Sequence, residues 1–155
     1  MVKGACPTCA VYGIEVEPTY AKRFAKEWSV YETVFLGDAI TVSLAHSKLR
    51  PDLVVFGDVL EHMWPHEASC AVEFWCMRSK YVVAIWPTGF PQDDVGGVQA
   101  EIHRCEIRLE DFQSRSIELV RYHKVARSAP GQYKHFAVFR GRIATKDTQQ
   151  SGVAY

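Results

Sequence analysis

"PDLVVFGDVLEHM", residues 51–63, decides how the rest of the chain is read. Leu53, Val54, Val55 and Phe56 follow one another without polar alternation, the pattern of a strand covered on both faces, as in parallel sheets. The run stops at Gly57, and Asp58, Glu61 and His62 follow at its carboxyl end. In open α/β sheets that edge is where ligands bind.

The segments on either side alternate in the same sense. "AVYGIEVE" (10–17) reads as a strand, and "PTYAKRFAKEWSVY" (18–31) as a helix, with Pro18 at a first-turn position and Tyr20, Phe24 and Trp28 at helical spacing. "ETVFLGDAI" (32–40) is a strand ending at Gly37-Asp38, and "TVSLAHSKLR" (41–50) a short helix or loop. After the opening stretch, 61–79 is mostly helical in pattern with an interruption at Pro65, and "KYVVAIWP" (80–87) is a β-branched strand. A loop rich in glycine and proline covers 88–106, residues 109–117 read as a helix, and 118–126 and 134–143 as two closing strands joined by a turn at Pro130-Gly131. The fold class is therefore α/β, a mostly parallel sheet ending in an antiparallel hairpin. Residues 1–145 read as one domain and 146–155 as a polar tail.

Composition narrows the function classes. Among 155 residues, 18 basic and 18 acidic side chains cancel, so no global attraction to phosphate backbones or anionic membranes is expected. No apolar stretch approaches the roughly 20 residues of a membrane span, and "MVKGACPTCAVYG" lacks a signal-peptide core, which implies a cytoplasmic protein. The five cysteines are then expected as reduced thiols. Cys6-Pro-Thr-Cys9 has redox or half-zinc spacing, but Cys70, Cys76 and Cys105 make no second pair.

This order of segments resembles the class I S-adenosylmethionine-dependent methyltransferases over about residues 11–143, on the motifs "VYGIEVEP", "VFLGDA" and "DLVVFGDVLEHM". The resemblance implies a Rossmann-like sheet and S-adenosylmethionine as cofactor. Glu15 would hold the ribose hydroxyls, Asp38 and Ala39 would meet the adenine, and Asp58 would lie near the cofactor's methyl group. A carboxylate can accept both hydrogen bonds of a vicinal diol, which suits the first of these roles. Taken singly, a strand-end Glu or a Gly-Asp pair is usually a solvated turn; their succession carries the weight.

The family's first strand and its glycine-rich loop have no counterpart, because "MVKGACPTCA" is too short for them. The expectation is an N-terminally truncated sheet with a gap of about 4.8 Å per missing strand. The sheet could close up, the N-terminal segment could pair irregularly, a second copy or another protein could supply the strand, or the natural product could start further upstream.

Asp58, Glu61 and His62 stand at i, i+3 and i+4, one face of any helix begun there. With His103 and Phe112 downstream, this arrangement is similar to the metal-dependent small-RNA 2′-O-methyltransferases. The likeness implies that Glu61, His62 and His103 bind a divalent ion such as Mg²⁺ or Mn²⁺, while Asp58 or His103 assists proton removal. At the start of the long loop, Trp86, just before it, and Phe90, within it, could stack on a planar substrate or simply close the core. Two functions stay open: a methyltransferase acting on a small molecule or RNA, and a noncatalytic methyltransferase-like module for assembly or partner binding, either one a homo-oligomer or completed by a partner chain.

Overall fold

The computed structural model describes residues 8–23, 30–114 and 117–142. The chain forms two compact units, Met1–Lys48 and Leu49–Tyr155.

In the first unit, β1 (Tyr12–Glu15), α1 (Pro18–Arg23), β2 (Thr33–Leu36) and α2 (Ala39–Ala45) follow in sequence. β1 and β2 pair in parallel, with Glu15 opposite Leu36, so both strands end at one edge. Phe24 and Trp28 of the expected first helix lie outside the described residues. α2 starts where Asp38 caps it: one carboxylate oxygen accepts from the backbone N–H of Ile40 at 3.1 Å and of Thr41 at 2.8 Å.

The second unit holds β3 (Leu53–Gly57), α3 (Pro65–Cys76), β4 (Tyr81–Thr88), β5 (Glu118–Ala126) and β6 (Tyr133–Arg140), ordered β3-β4-β6-β5. β3 and β4 are parallel, and β6 runs antiparallel to both its neighbours. The C-terminal hairpin expected from the sequence is present, with a bulge between Leu119 and Arg121. β5 is the outer strand and, of its nine residues, only Tyr122 is partly buried. Its charged residues discourage further strand pairing at that edge.

One face of this sheet forms the core. Phe56, Val82, Ala84, Trp86, Ala137 and Phe139 point into it at every second position. Ala68, Ala71, Val72 and Trp75 of α3 are also buried, as is Phe112 of a 3₁₀ turn at Leu109–Phe112. Phe112 lies edge-on to Trp86, with ring centroids 5.4 Å apart. The opposite face is different: Leu53 is 46% and Val55 47% exposed, so the apolar run of β3 is covered on one face and not on two. The uninterrupted apolar pattern reported strand and not two-sided burial.

Three further expectations need correction. Among the described residues of 109–117 there is a 3₁₀ turn, Leu109–Phe112, and no α-helix; the Asp111 carboxylate accepts from Arg108 N–H at 2.7 Å at its start, and the backbone becomes extended at Gln113. The segment after Asp58 is a 3₁₀ turn, Leu60–His62, and α3 begins only at Pro65, whose missing N–H suits a first helical position. Cys9 is disulfide-bonded, against the expectation of reduced thiols; Cys6 lies outside the described residues, and Cys70, Cys76 and Cys105 are free. No helix among the described residues is long and apolar enough to cross a membrane.

The end of β6 is fixed by close backbone packing. Gly141 N–H donates to Lys80 O at 2.8 Å, and a Cβ built on Gly141 would stand 1.9 Å from the carbonyl oxygen of buried Ser79. Backbone cannot yield as a flexible side chain does. Gly141→Ala is therefore expected to destabilise the fold by about 1–3 kcal/mol, read as a lower urea midpoint at unchanged slope; an unshifted midpoint would refute this packing.

Candidate metal and substrate site

Because β3 and β4 run in parallel, the segments that follow them leave from the same edge of the second unit. After β3 come Asp58, Glu61 and His62; after β4 comes the loop that carries His103. Backbone bonds join the two segments, Arg104 N–H donating to Glu61 O at 2.9 Å. The loop is also tied to itself. His103 N–H reaches Gln92 O at 3.0 Å, the Gln92 amide donates to Glu101 O at 2.8 Å, and Gly89 N–H donates to the Glu106 carboxylate at 2.9 Å.

Glu61, His62 and His103 come together as the sequence suggested: one ligand atom of each lies within 4.8 Å of the others. The two imidazoles meet edge to face, with centroids 4.9 Å apart. Their tautomers follow from their partners. His62 Nδ1 faces Ile102 O at 3.2 Å and His103 Nδ1 faces Phe90 O at 2.5 Å. A carbonyl only accepts, so Nδ1 is the protonated nitrogen in the neutral form of each ring, and Nε2 is the one that offers a lone pair. Backbone carbonyls on the second nitrogen are the usual way in which metal-binding histidines are oriented.

Glu61 is the unusual member. It is 1% exposed, and its Oε2 has no hydrogen-bond partner among the described residues. Burial is the main cause that pushes its carboxyl up to about 7, with the negative charge of Asp58 adding to it. Burial likewise holds His103 below the usual imidazole range. The cluster thus presents a carboxylate and two imidazole lone pairs, all acceptors, to one another. A cation or a proton is what such a set can take.

Asp58 does not join them. It has φ +53°, a left-handed conformation rare for a non-glycine residue, and both its carboxylate oxygens accept from Lys134 Nζ. The expected helical face of Asp58, Glu61 and His62 is absent for that reason. Lys134, 76 residues away at the start of β6, gave no signal in the sequence.

Trp86 is fully buried: its indole N–H donates to Ile107 O at 2.9 Å, and it is a core residue and no substrate platform. Phe90 is 39% exposed. It borders an open cleft of about 340 Å³ lined also by Thr88, His103, Arg104, Cys105 and Glu106.

In the first unit, Glu15 ends β1 and Asp38 follows β2 by two residues at the same carboxyl edge. Glu15 is half-buried and accepts from Glu17 N–H at 2.8 Å through one oxygen. Asp38 is exposed, and its two backbone bonds hold its carboxyl below the ordinary range together with the Thr41 side chain, the largest cause. Ala39 is the first residue of α2.

No protein-family model matches this chain, and no curated protein sequence does. Solved structures do. The N-terminal domain of EvdMO1 with SAH bound is 17% identical, with 89% of this chain and 67% of that one covered and a TM-score of 0.59. The O-methyltransferase family 2 protein from Planctomyces limnophilus DSM 3776, in complex with apigenin, is 14% identical over 90% of this chain and 44% of that one, with a TM-score of 0.56. The mitomycin 7-O-methyltransferase MmcR is 13% identical, with coverages of 90% and 44% and a TM-score of 0.53. The chain spans two thirds of the first and less than half of the other two. What they share with it is the architecture, and the chain has the class I S-adenosylmethionine methyltransferase-like Rossmann fold.

Proposed function

We propose that the chain is the methyl-transferring part of an S-adenosylmethionine-dependent O-methyltransferase, in which Glu61, His62 and His103 hold a divalent cation beside the acceptor hydroxyl of a small molecule. The observation that carries the metal assignment is the buried, unpartnered Glu61 Oε2 next to two imidazoles whose Nδ1 atoms are already committed to carbonyls. Bound there, a divalent ion supplies Lewis acidity that lowers the pKa of a coordinated hydroxyl. His62 and His103 act as ligands through Nε2, so neither serves as the base. Asp58, outside the cluster and fixed by Lys134, is the carboxylate that takes the hydroxyl proton. S-adenosylmethionine, when bound, would supply an electrophilic sulfonium methyl group, and the hydroxyl that has given its proton to Asp58 would be its acceptor.

Glu15 is assigned to the ribose diol and Asp38 to the adenine amino group, with Ala39 beside the ring. A small acceptor fits the balanced charge of the chain and a cleft of about 340 Å³ better than a polyanion does. The similar proteins held with apigenin or named for mitomycin 7-O-methylation support the same class by analogy of fold alone.

Calorimetry with S-adenosylmethionine tests the cofactor assignment. Micromolar binding is expected, weakened about tenfold or more by Glu15→Ala and by Asp38→Ser, since each removes a hydrogen bond to a charged group. Serine keeps the helix cap, so a loss at Asp38→Ser reports on the cofactor and not on α2. No heat of binding at high concentration would refute the enzyme and leave the noncatalytic module.

A further inference from the structure

His135 lies on β6 with 6% exposure, stacked on Trp86 at a centroid distance of 5.1 Å and an interplanar angle of 10°. Both ring nitrogens are occupied. Nδ1 is 2.6 Å from Tyr122 Oη, and Nε2 is 2.8 Å from Thr88 Oγ1. Tyr122 is the one partly buried residue of β5, and Thr88 ends β4 and lines the cleft that also contains His103. A polar chain thus runs from the outer strand through the core to the candidate site.

Its direction follows from the chemistry of the two hydroxyls. A phenol is a stronger donor and a poorer acceptor than an aliphatic hydroxyl. The Tyr122 contact, at 2.6 Å, therefore has the phenol as donor and Nδ1 as acceptor. Burial, with the charge of Lys124, keeps the imidazole below its ordinary range and thus neutral, and burial holds the Tyr122 phenol above its own, so that it keeps its proton. A neutral imidazole that accepts at Nδ1 must donate at Nε2. Thr88 Oγ1 then receives the Nε2 proton, and its own hydroxyl proton is left to point elsewhere. Thr88 Oγ1 has no other hydrogen-bond partner among the described residues, and the open space beside it is the cleft.

We propose that Thr88 is a substrate-anchoring residue of the cleft, its hydroxyl proton directed by Tyr122 and His135 onto an acceptor oxygen of the methyl acceptor. This rests on the reading of the cleft as the substrate site. The chain's polarity also sets what Thr88 cannot do: a hydroxyl already receiving a proton from Nε2 is a donor toward the cleft, and the network does not carry the substrate's proton away. Tyr122 and His135 are positioning residues. The acceptor class is narrowed to hydroxylated small molecules that carry a second, carbonyl-like oxygen.

Two measurements on the metal-free protein test this without any turnover, so their failure is separate from failure of cofactor binding. Long-range ¹H–¹⁵N correlation spectra, with His135→Gln for assignment, should show His135 neutral and protonated at Nε2, and Tyr122→Phe should move it toward the Nδ1–H form. A wild-type Nδ1–H tautomer would overturn the proposal. For binding, 4-hydroxyacetophenone and its carbonyl-free analogue 4-ethylphenol are titrated against the His103 resonances. The ketone should bind about fivefold tighter, the worth of one neutral hydrogen bond. Thr88→Val should erase that preference and Thr88→Ser should keep it. Equal affinity in the wild type, no binding of either phenol, or a preference that survives Thr88→Val would each reject Thr88 as the anchor.

Discussion

Titrated with Mn²⁺ after chelation, the wild-type protein is expected to bind one ion, and His62→Ala, His103→Ala or Glu61→Gln to weaken that binding by roughly a hundredfold each. Four-ligand zinc sites are worth about 10–16 kcal/mol, or about 3 kcal/mol per ligand, which is the size of that loss. Asp58→Asn is the control, because Asp58 is engaged by Lys134 and supplies no ligand; its effect should stay within about tenfold, the low end for groups outside the coordination sphere. The donor set also ranks the ions. Two imidazoles and one carboxylate favour first-row transition ions, whereas Mg²⁺ prefers oxygen ligands and retains its waters. Of the two ions raised by the sequence, Mn²⁺ is therefore expected to displace Mg²⁺. Equal binding by the wild type and the three ligand variants would remove the metal from the proposed mechanism, as would a binding loss in Asp58→Asn as large as theirs.

The parts of this site that were legible in the sequence are those with short-range signals. β-branched runs with glycine, proline or acidic residues behind them located β3, β4 and the strand ends at Glu15 and Asp38, because strand propensity and helix capping act over a few residues. Glu61 and His62 are adjacent, and His103 was linked to them through a family likeness. What the sequence concealed depends on distant partners. Lys134 reaches Asp58 across 76 residues, and the left-handed backbone at Asp58, which breaks the expected helical face, is a property of the folded edge. His135 did leave a trace: in "KHFAVF" it occupies the inward register with Ala137 and Phe139, and a histidine on an apolar face needs partners for both nitrogens. Which partners those were, Thr88 and Tyr122, only the strand register could tell. Trp86 left two readings open for the opposite reason, since an aromatic residue near a strand end carries the same local signal whether it closes the core, as here, or faces a ligand.

The buried carboxylate makes a second large effect, this time on stability. Held at about 7 in the folded protein against an ordinary value of 4.5, Glu61 binds more protons when folded than when unfolded throughout that interval. Stability attributable to it is therefore full below about pH 4.5, falls as the pH rises toward 7, and then stays low; the difference corresponds to about 3 kcal/mol. His103 and His135, both held low by burial, act with the opposite sign, gaining stability as the pH rises toward the ordinary imidazole value. The wild-type curve alone mixes these slopes, whereas the difference between wild type and Glu61→Gln isolates the carboxyl. In chelated protein that difference should be small at pH 4.5 and should grow until the variant is the more stable by about 3 kcal/mol at pH 8. Adding Mn²⁺ should reverse the order at pH 8, because the ion stabilises only the chain that can bind it. A difference that stays flat with pH would mean that Glu61 is solvated and paired in solution. The same buried charge that weakens the metal-free fold is what gives a cation its strongest reason to bind there.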